Sequence, residues 1–150
     1  MAASAWGFFN QFKRYMADGE MDLDLDVFKM ALFTSAADAD TRTQSIWSEL
    51  SSEVAAANNY ALGGKTLTNV TWSTGASAGV MRFDSDNVIW TASGGNISAI
   101  RYAVIHNNSG ASIGANKLVC SSRLTATAFS VSDGNTLTIT INASGIFELT

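Results

Sequence analysis

The chain has 150 residues, of which 47% are hydrophobic and 15% are charged, and its formal net charge at pH 7 is −4. This length suits one domain, residues 1–150, whose core can fold without a metal or a disulfide, and the composition excludes a disordered chain. The acidic balance disfavours a nucleic-acid partner, because phosphate binding needs clustered Lys and Arg, and the longest apolar runs are too short for a membrane helix.

The first segment predicts an aromatic helix over Ser4–Ala17, with Ser4 as its N-cap. Aromatic and apolar side chains recur at helical spacings of three and four, namely Trp6, Phe9, Phe12 and Met16, with Phe8 and Tyr15 beside them. The helix is expected to end at Asp18-Gly19. Residues 1–20 would then form a helical arm in front of a second part, residues 21–150.

Asp22–Val27 alternates acidic and apolar residues, which predicts an extended segment with one acidic face. The three aspartates, Asp22, Asp24 and Asp26, resemble the opening of a calcium loop. An EF-hand needs Gly at the sixth position and Glu at the twelfth, but this chain has Val27 and Phe33 there. We therefore expect a solvated acidic face without a metal, followed by a first core strand over Phe28–Phe33.

A second helix is predicted over Thr43–Ala57. Ile46, Leu50 and Val54 lie one turn apart and form a single apolar stripe opposite a face of Ser and Glu. Asn58-Asn59 is expected to end this helix.

After Gly63-Gly64 the hydrophobic period changes to two, which is typical of strands. Ile97–Asn107 is apolar on both faces, so it should lie at a sheet centre or at a subunit contact. About eight or nine short strands without βαβ alternation indicate a mainly β, antiparallel sandwich or barrel. The strands predicted here are Lys65–Trp72, Val80–Phe83, Asn87–Ala92, Ile97–Asn107, Lys117–Leu124, Ala128–Val131, Thr136–Asn142 and Ile146–Leu149.

Two patterns raise the question of catalysis. Gly75–Gly79 matches the G-x-S-x-G nucleophile motif through Ser77, but that motif requires a helix after the serine, and a strand is predicted there. His106 and Cys120 are the residue types of a thiolate pair, yet Cys120 lies in an apolar run typical of a buried cysteine. We expect no enzyme, no catalytic residue, no metal and no cofactor.

The order of several segments resembles small structural proteins of tailed bacteriophages, in particular jelly-roll decoration (cement) proteins. The resemblance covers about Phe12 to Thr150. Its motifs are Phe12-Lys13, Asp26–Lys29, Glu53-Val54, Asn59–Leu67, Phe83–Trp90, Ile97–Ile105 and Gly145–Thr150.

This resemblance implies a jelly-roll-like β-sandwich, with the two predicted helices in its N-terminal third. It also implies a virion protein made in the cytoplasm of the host bacterium. On the virion, the chain would bind the outer face of the major capsid protein shell as a homotrimer. It would bind neither nucleic acid nor a membrane.

Two groups of residues are the candidates for subunit or capsid contacts. One is the aromatic first segment, whose rings would either cap their own sandwich or meet a partner, where aromatic residues are enriched. The other is the doubly apolar strand. The candidate residues are Trp6, Phe8, Phe9, Phe12, Tyr15, Ile100, Tyr102 and Val104.

The alternative function is a glycan-binding sandwich of a phage, similar to a lectin or a fibre tip. Such sites present exposed aromatic rings beside Asp and Asn side chains in loops. Trp72, Trp90 and Asp84–Asn87 would form the site here, although Asp84–Asn87 also fits a simple tight turn.

Overall fold

The computed structural model describes residues 5–110 and 115–150. These residues form twelve strands, one α-helix and a short 3₁₀ helix at Trp47–Glu49. The elements in chain order are β1 (Gly7–Phe8), α1 (Phe12–Ala17), β2 (Phe28–Phe33), β3 (Lys65–Thr66), β4 (Thr71–Thr74), β5 (Met81–Asp84), β6 (Val88–Thr91), β7 (Ile97–Ile100), β8 (Tyr102–Asn107), β9 (Leu118–Arg123), β10 (Phe129–Val131), β11 (Thr136–Ile139) and β12 (Phe147–Leu149).

The strands form antiparallel sheets, which confirms the mainly β, antiparallel prediction and is consistent with a sandwich. The largest sheet has the order β1-β9-β8-β2-β3, and a second has the order β12-β5-β4. Two further ladders pair β11 with β6 and β10 with β7. In β11, Leu137 and Ile139 are buried while the threonines face outward, as the alternation predicts.

Strand β8 lies at the centre of the five-stranded sheet, and all six of its residues are buried. Ala103 and Ile105 belong to the main core, whereas Tyr102 and Val104 belong to a smaller core on the other face. That smaller core includes Phe9, Ala31, Phe33, Ala39 and Leu118, with Trp47 and Leu50 packed against it. The prediction that this strand is buried on both faces at a sheet centre is therefore confirmed. Residues of the same chain bury both faces.

The N-terminal helix is shorter than predicted. Gly7 and Phe8 form strand β1, which pairs with Ser121 and Cys120 of β9, and the helix begins only at Phe12. Gly7 disfavours a helix interior, and in the observed conformation Phe8 packs against the main core. The proposed cap Ser4 lies outside the described residues.

The predicted second helix is wrong, since only Trp47–Glu49 is helical. The backbone of this region bonds to strands instead: Ile46 bridges to Lys117, Glu53 bridges to Phe33, and the Val54 N–H donates to the Leu32 carbonyl at 2.9 Å. Serines that compete for backbone hydrogen bonds weaken a helix here. The apolar stripe therefore packs as an irregular cover.

The segment Asp22–Val27 is a turn, not an extended strand. The Asp22 carboxylate accepts from the N–H groups of Asp24 and Leu25 at 2.9 and 3.1 Å, and the Asp26 N–H donates to the Asp22 carbonyl at 3.0 Å. Such side-chain bonds to the backbone stabilise turns. Of the apolar residues in and before this turn, Met21 and Leu23 are buried in the core, whereas Leu25 is 79% exposed and Val27 is also exposed.

A buried hydrogen-bonded cluster ties the loop after residue 53 to β2. Glu53 Oε1 accepts from the Tyr60 hydroxyl at 2.8 Å and from the Gly63 N–H at 2.7 Å. The Tyr60 hydroxyl oxygen in turn accepts from the Leu32 N–H at 2.9 Å. Burial raises the pKa of the Glu53 carboxyl.

We expect Tyr60→Phe to lower the free energy of unfolding by about 1–3 kcal/mol, because it leaves the buried Leu32 N–H without a partner and removes one of the two hydrogen bonds to Glu53 Oε1. Tyr15→Phe is the matched control, since the Tyr15 hydroxyl makes only a 3.4 Å bond to the Ser45 carbonyl. Urea unfolding at pH 7 measures both. Equal losses in the two variants would contradict the assigned role.

Candidate functional site

A groove with a volume of about 600 Å³ lies between the N-terminal and C-terminal segments. We call it the terminal groove. The N-terminal segment contributes Ala5, Trp6 and Phe8, and the remaining lining comes from the C-terminal segment. Those remaining residues are Thr140, Asn142, Ser144, Gly145, Ile146, Phe147 and Glu148.

Pairing with β9 fixes the N-terminal side of the groove. The Phe9 N–H donates to the Val119 carbonyl at 3.1 Å, which continues the β1–β9 ladder. Gly7 permits a close approach of Arg42, because a Cβ at Gly7 would lie 2.3 Å from the Arg42 guanidinium carbon. Arg42 Nε donates to Ser121 Oγ at 3.0 Å. The segment is thus paired with β9, and the Arg42 side chain lies against Gly7 while bonding to β9.

An aromatic cluster centred on Phe147 forms the base of the groove. The Phe147 ring meets Phe8 edge-on at 4.8 Å between centroids, Phe12 at 5.5 Å and Phe83 at 5.1 Å. Phe8 also stacks on Phe12 at 5.0 Å. Edge-to-face and offset pairs of this kind add to the stabilisation from burial. The aromatic N-terminal segment is therefore anchored to strand β12.

The eight predicted contact residues separate into two groups. Trp6, Phe8 and Tyr15 are only partly buried, and the first two line the terminal groove. The side chains of the other five lie in the cores of their own chain, so they are not accessible in this conformation: Phe9, Phe12, Ile100, Tyr102 and Val104. A contact between a partner and the three accessible residues stays a prediction.

Tyr15 lies apart from the groove. Lys117 Nζ lies 5.5 Å from the centre of the Tyr15 ring, and the Tyr15 hydroxyl donates to the Ser45 carbonyl. Partial burial raises the pKa of this hydroxyl.

The G-x-S-x-G segment forms a turn between β4 and β5. The Gly75 N–H donates to the Val80 carbonyl at 2.7 Å, and strand β5 follows directly. The strand–turn–helix context that this motif requires is not present around Ser77.

His106 and Cys120 lie on opposite faces of the largest sheet. Cys120 pairs with Ile105 and packs in the main core, whereas His106 lies 4.2 Å from Trp47 between ring centroids. Burial raises the pKa of the Cys120 thiol and lowers the pKa of His106 to about 4. The predicted alternative of a thiolate pair is thus not supported by the geometry.

The residues of the glycan hypothesis do not form one surface of exposed rings. Trp90 is 1% exposed, so it cannot stack on a sugar, while Trp72 is half-buried against the main core. Residues 85–87 connect β5 to β6, and the Ser85 N–H donates to the Asp84 carboxylate at 2.9 Å. The Asp86 N–H donates to the Thr68 carbonyl at 2.9 Å, and the Asn87 side chain accepts from the Ile141 N–H. The segment is therefore a loop bonded to other parts of the chain, not the predicted tight turn.

Within residues 5–110 and 115–150, His, Cys, Asp and Glu side chains nowhere form a group suited to a metal ion. No helix in the same residues has the length and apolarity to cross a membrane. Comparisons with protein-family models, with curated proteins and with solved structures found no match.

Ile146 and Phe147 are the two large apolar residues of the groove that the predicted contact residues did not include, and the small and polar lining residues were not predicted either. The apolar pair Ile146-Phe147 predicted only a short strand. Their neighbours in the groove are some 140 positions away in the chain, so no local pattern joins them.

Proposed function

We propose that this chain is a non-enzymatic structural protein of a tailed-bacteriophage virion. It would be a jelly-roll decoration protein that binds the outer surface of the major capsid protein shell as a homotrimer and stabilises it. The order of the motifs quoted above suggests this class of protein. The observation that carries the proposal is the terminal groove, where Trp6 and Phe8 stand partly exposed on a buried aromatic base.

The groove has the properties of a surface made for protein contact. Tryptophan on a rigid base is a frequent centre of binding energy at interfaces. The polar lining consists of hydroxyl and amide groups, such as Thr140 and Asn142, with Glu148 as the charged member. Neutral groups cost less to desolvate than charges do. Three copies on one shell would add avidity to a modest affinity per subunit.

Two measurements test the proposal. Light scattering should give a mass three times the 15.9 kDa of one chain, and the protein should co-sediment with expanded capsid shells of its phage. A monomer that does not co-sediment would overturn the proposal.

We expect Trp6→Ala to weaken shell binding by at least about tenfold, because alanine removes a partly exposed ring from the contact surface. Leu62→Ala is the control, since Leu62 is 59% exposed and does not line the groove. Co-sedimentation at increasing protein concentration measures both affinities. Equal binding of the two variants would exclude the terminal groove as the contact surface.

A further inference from the structure

Strand β4 is an edge strand, and the backbone groups on its outer side have no partner strand among the described residues. It is the last strand in the order β12-β5-β4. Because Gly75 N–H donates to the Val80 carbonyl, the main-chain groups of Thr71 and Ser73 face β5. The N–H and C=O groups of Trp72 and Thr74 therefore point outward, and no backbone hydrogen bond reaches them from the described residues.

Two other open edges of the described fold are protected against pairing. On β6, Lys65 Nζ donates to the Ile89 carbonyl at 2.6 Å and Asn59 Nδ2 donates to the Thr91 carbonyl at 3.0 Å. On β7, Ala99 has a φ of 60° and the register with β10 shifts. Blocking side chains and bulges of this kind prevent unwanted strand addition.

Edge strand β4 has none of these devices. Its register with β5 is regular, and neither proline nor a charged residue occurs between Lys65 and Arg82. Threonine and tryptophan favour extended structure. The outer side of β4 is thus suited to accept another strand.

A groove of about 360 Å³ lies next to β4. Four of its lining residues are apolar, Met16, Met21, Leu23 and Trp72, and Gly19 and Asp22 complete the lining. A strand added to β4 would direct every second side chain towards this face of the sheet, as in peptide recognition by strand addition. The geometry therefore fits an extended segment with apolar residues at alternate positions.

We propose that the occupant is β4 of a second copy, paired antiparallel about a twofold axis at Ser73. A twofold axis perpendicular to the sheet places the core-facing sides of both copies on the same face of the joined sheet. Val70 and Trp72 of the second copy would therefore supply the apolar side chains at alternate positions. Trp72 would form a hydrogen-bonded pair with Thr74 of the second copy.

Self-pairing about Ser73 brings two copies of the same stretch side by side, so a charge in this stretch would lie close to charge of the same sign in the other copy, which is destabilising. The uncharged sequence from Thr66 to Met81 avoids that repulsion. A neutral edge offers no charge for a charged segment to complement, whereas it meets a copy of itself without repulsion. The contact does not depend on the function proposed above, because the β4 edges can pair between two monomers or between two trimers. Two trimers joined in this way would have twice the mass expected for one trimer.

Disulfide trapping tests the contact. In Ser73→Cys the two introduced thiols would face each other across the axis, at a spacing near that of a disulfide. The native Cys120 is fully buried and does not compete. Thr91→Cys is the control, because Thr91 is exposed on the protected strand β6. Under mild oxidation we expect covalent dimer to form at least about tenfold faster in Ser73→Cys, owing to the higher effective concentration.

Adding Thr74→Pro or Thr74→Lys to Ser73→Cys should reduce the rate to that of the control. Proline removes the outward N–H of Thr74, and an edge lysine opposes pairing. Circular dichroism shows which double variants are folded, and only the crosslinking rates of folded variants are compared with that of Ser73→Cys. The proposal is overturned if Ser73→Cys crosslinks no faster than Thr91→Cys, or if both folded double variants keep the fast rate.

Discussion

Replacing Phe147 with alanine should lower the free energy of unfolding by about 3–5 kcal/mol, the range for a buried aromatic side chain. The Phe147 side chain is 8% exposed and meets four aromatic rings, including Trp72 at 6.4 Å between centroids. The other three rings are Phe8, Phe12 and Phe83. Its loss would leave a cavity between the N-terminal segment and strand β12.

The cavity should also loosen the N-terminal segment, because Phe8 and Phe12 both contact Phe147. We therefore expect a protease to cleave near Trp6 faster in Phe147→Ala than in the wild type under native conditions. Urea unfolding measures the stability, and Ile89→Ala is the control, since Ile89 is 45% exposed on a strand face. A loss below about 1 kcal/mol in Phe147→Ala, similar to a surface change, would contradict the central role of this ring.

The strands were largely predictable because burial of alternate residues leaves a local pattern. Thr136–Asn142 alternates cleanly, and Leu137 and Ile139 are buried as expected. Strand ends were less accurate: the predicted strand Lys65–Trp72 is two strands, Lys65–Thr66 and Thr71–Thr74. Asn69, between the two strands, has a φ of 50°. The alternation of apolar and polar residues does not indicate this change of backbone conformation.

The helices were overpredicted because apolar spacing of three and four does not require helical hydrogen bonds. Ile46, Leu50 and Val54 have that spacing. The backbone of Ile46 nevertheless bridges to Lys117, and the Val54 N–H donates to the Leu32 carbonyl, so both ends of the segment bond to distant strands. Tertiary context overrides a weak local propensity in such cases. The same argument applies to Gly7 and Phe8, which pair with β9.

The candidate site was predictable in part. Aromatic enrichment identified Trp6 and Phe8, which do line the terminal groove. Phe147 could not be found in this way, because its contact with Phe8 depends on how β1 and β12 are placed by separate sheets. Contacts between the two ends of a chain leave no trace in local spacing.

Acid should destabilise the fold through His106. Burial lowers its pKa from 6.5 to about 4, and the charge of Lys29, its cross-strand neighbour, acts in the same direction. Between these values the unfolded chain binds a proton that the folded chain does not, so stability falls as the pH falls through this range. The loss should reach about 3 kcal/mol at pH values below about 4, since one pKa unit corresponds to 1.36 kcal/mol.

Burial is the main reason that the charged form is unfavourable, because it outweighs the ring's hydrogen bonds to the backbone of Gly63 and Asn107, which favour the charged form. His106 Nε2 lies 3.1 Å from the Gly63 carbonyl, so Nε2 carries the proton and Nδ1 is an acceptor. The Asn116 amide nitrogen lies 3.4 Å from Nδ1 and donates to it. Protonation would place a second N–H on Nδ1, opposite another donor, in a site that is closed to water.

Unfolding of the wild type and of His106→Gln at a series of pH values tests this account. Glu53 must be separated from it, because its raised pKa makes the folded state bind a proton more tightly, so its contribution to stability grows as the pH falls. Both proteins contain Glu53, so the difference between them isolates His106. We expect the stability of the wild type relative to the variant to fall by about 3 kcal/mol between pH values of about 7 and 4. Parallel curves for the two proteins would show that His106 does not cause the loss.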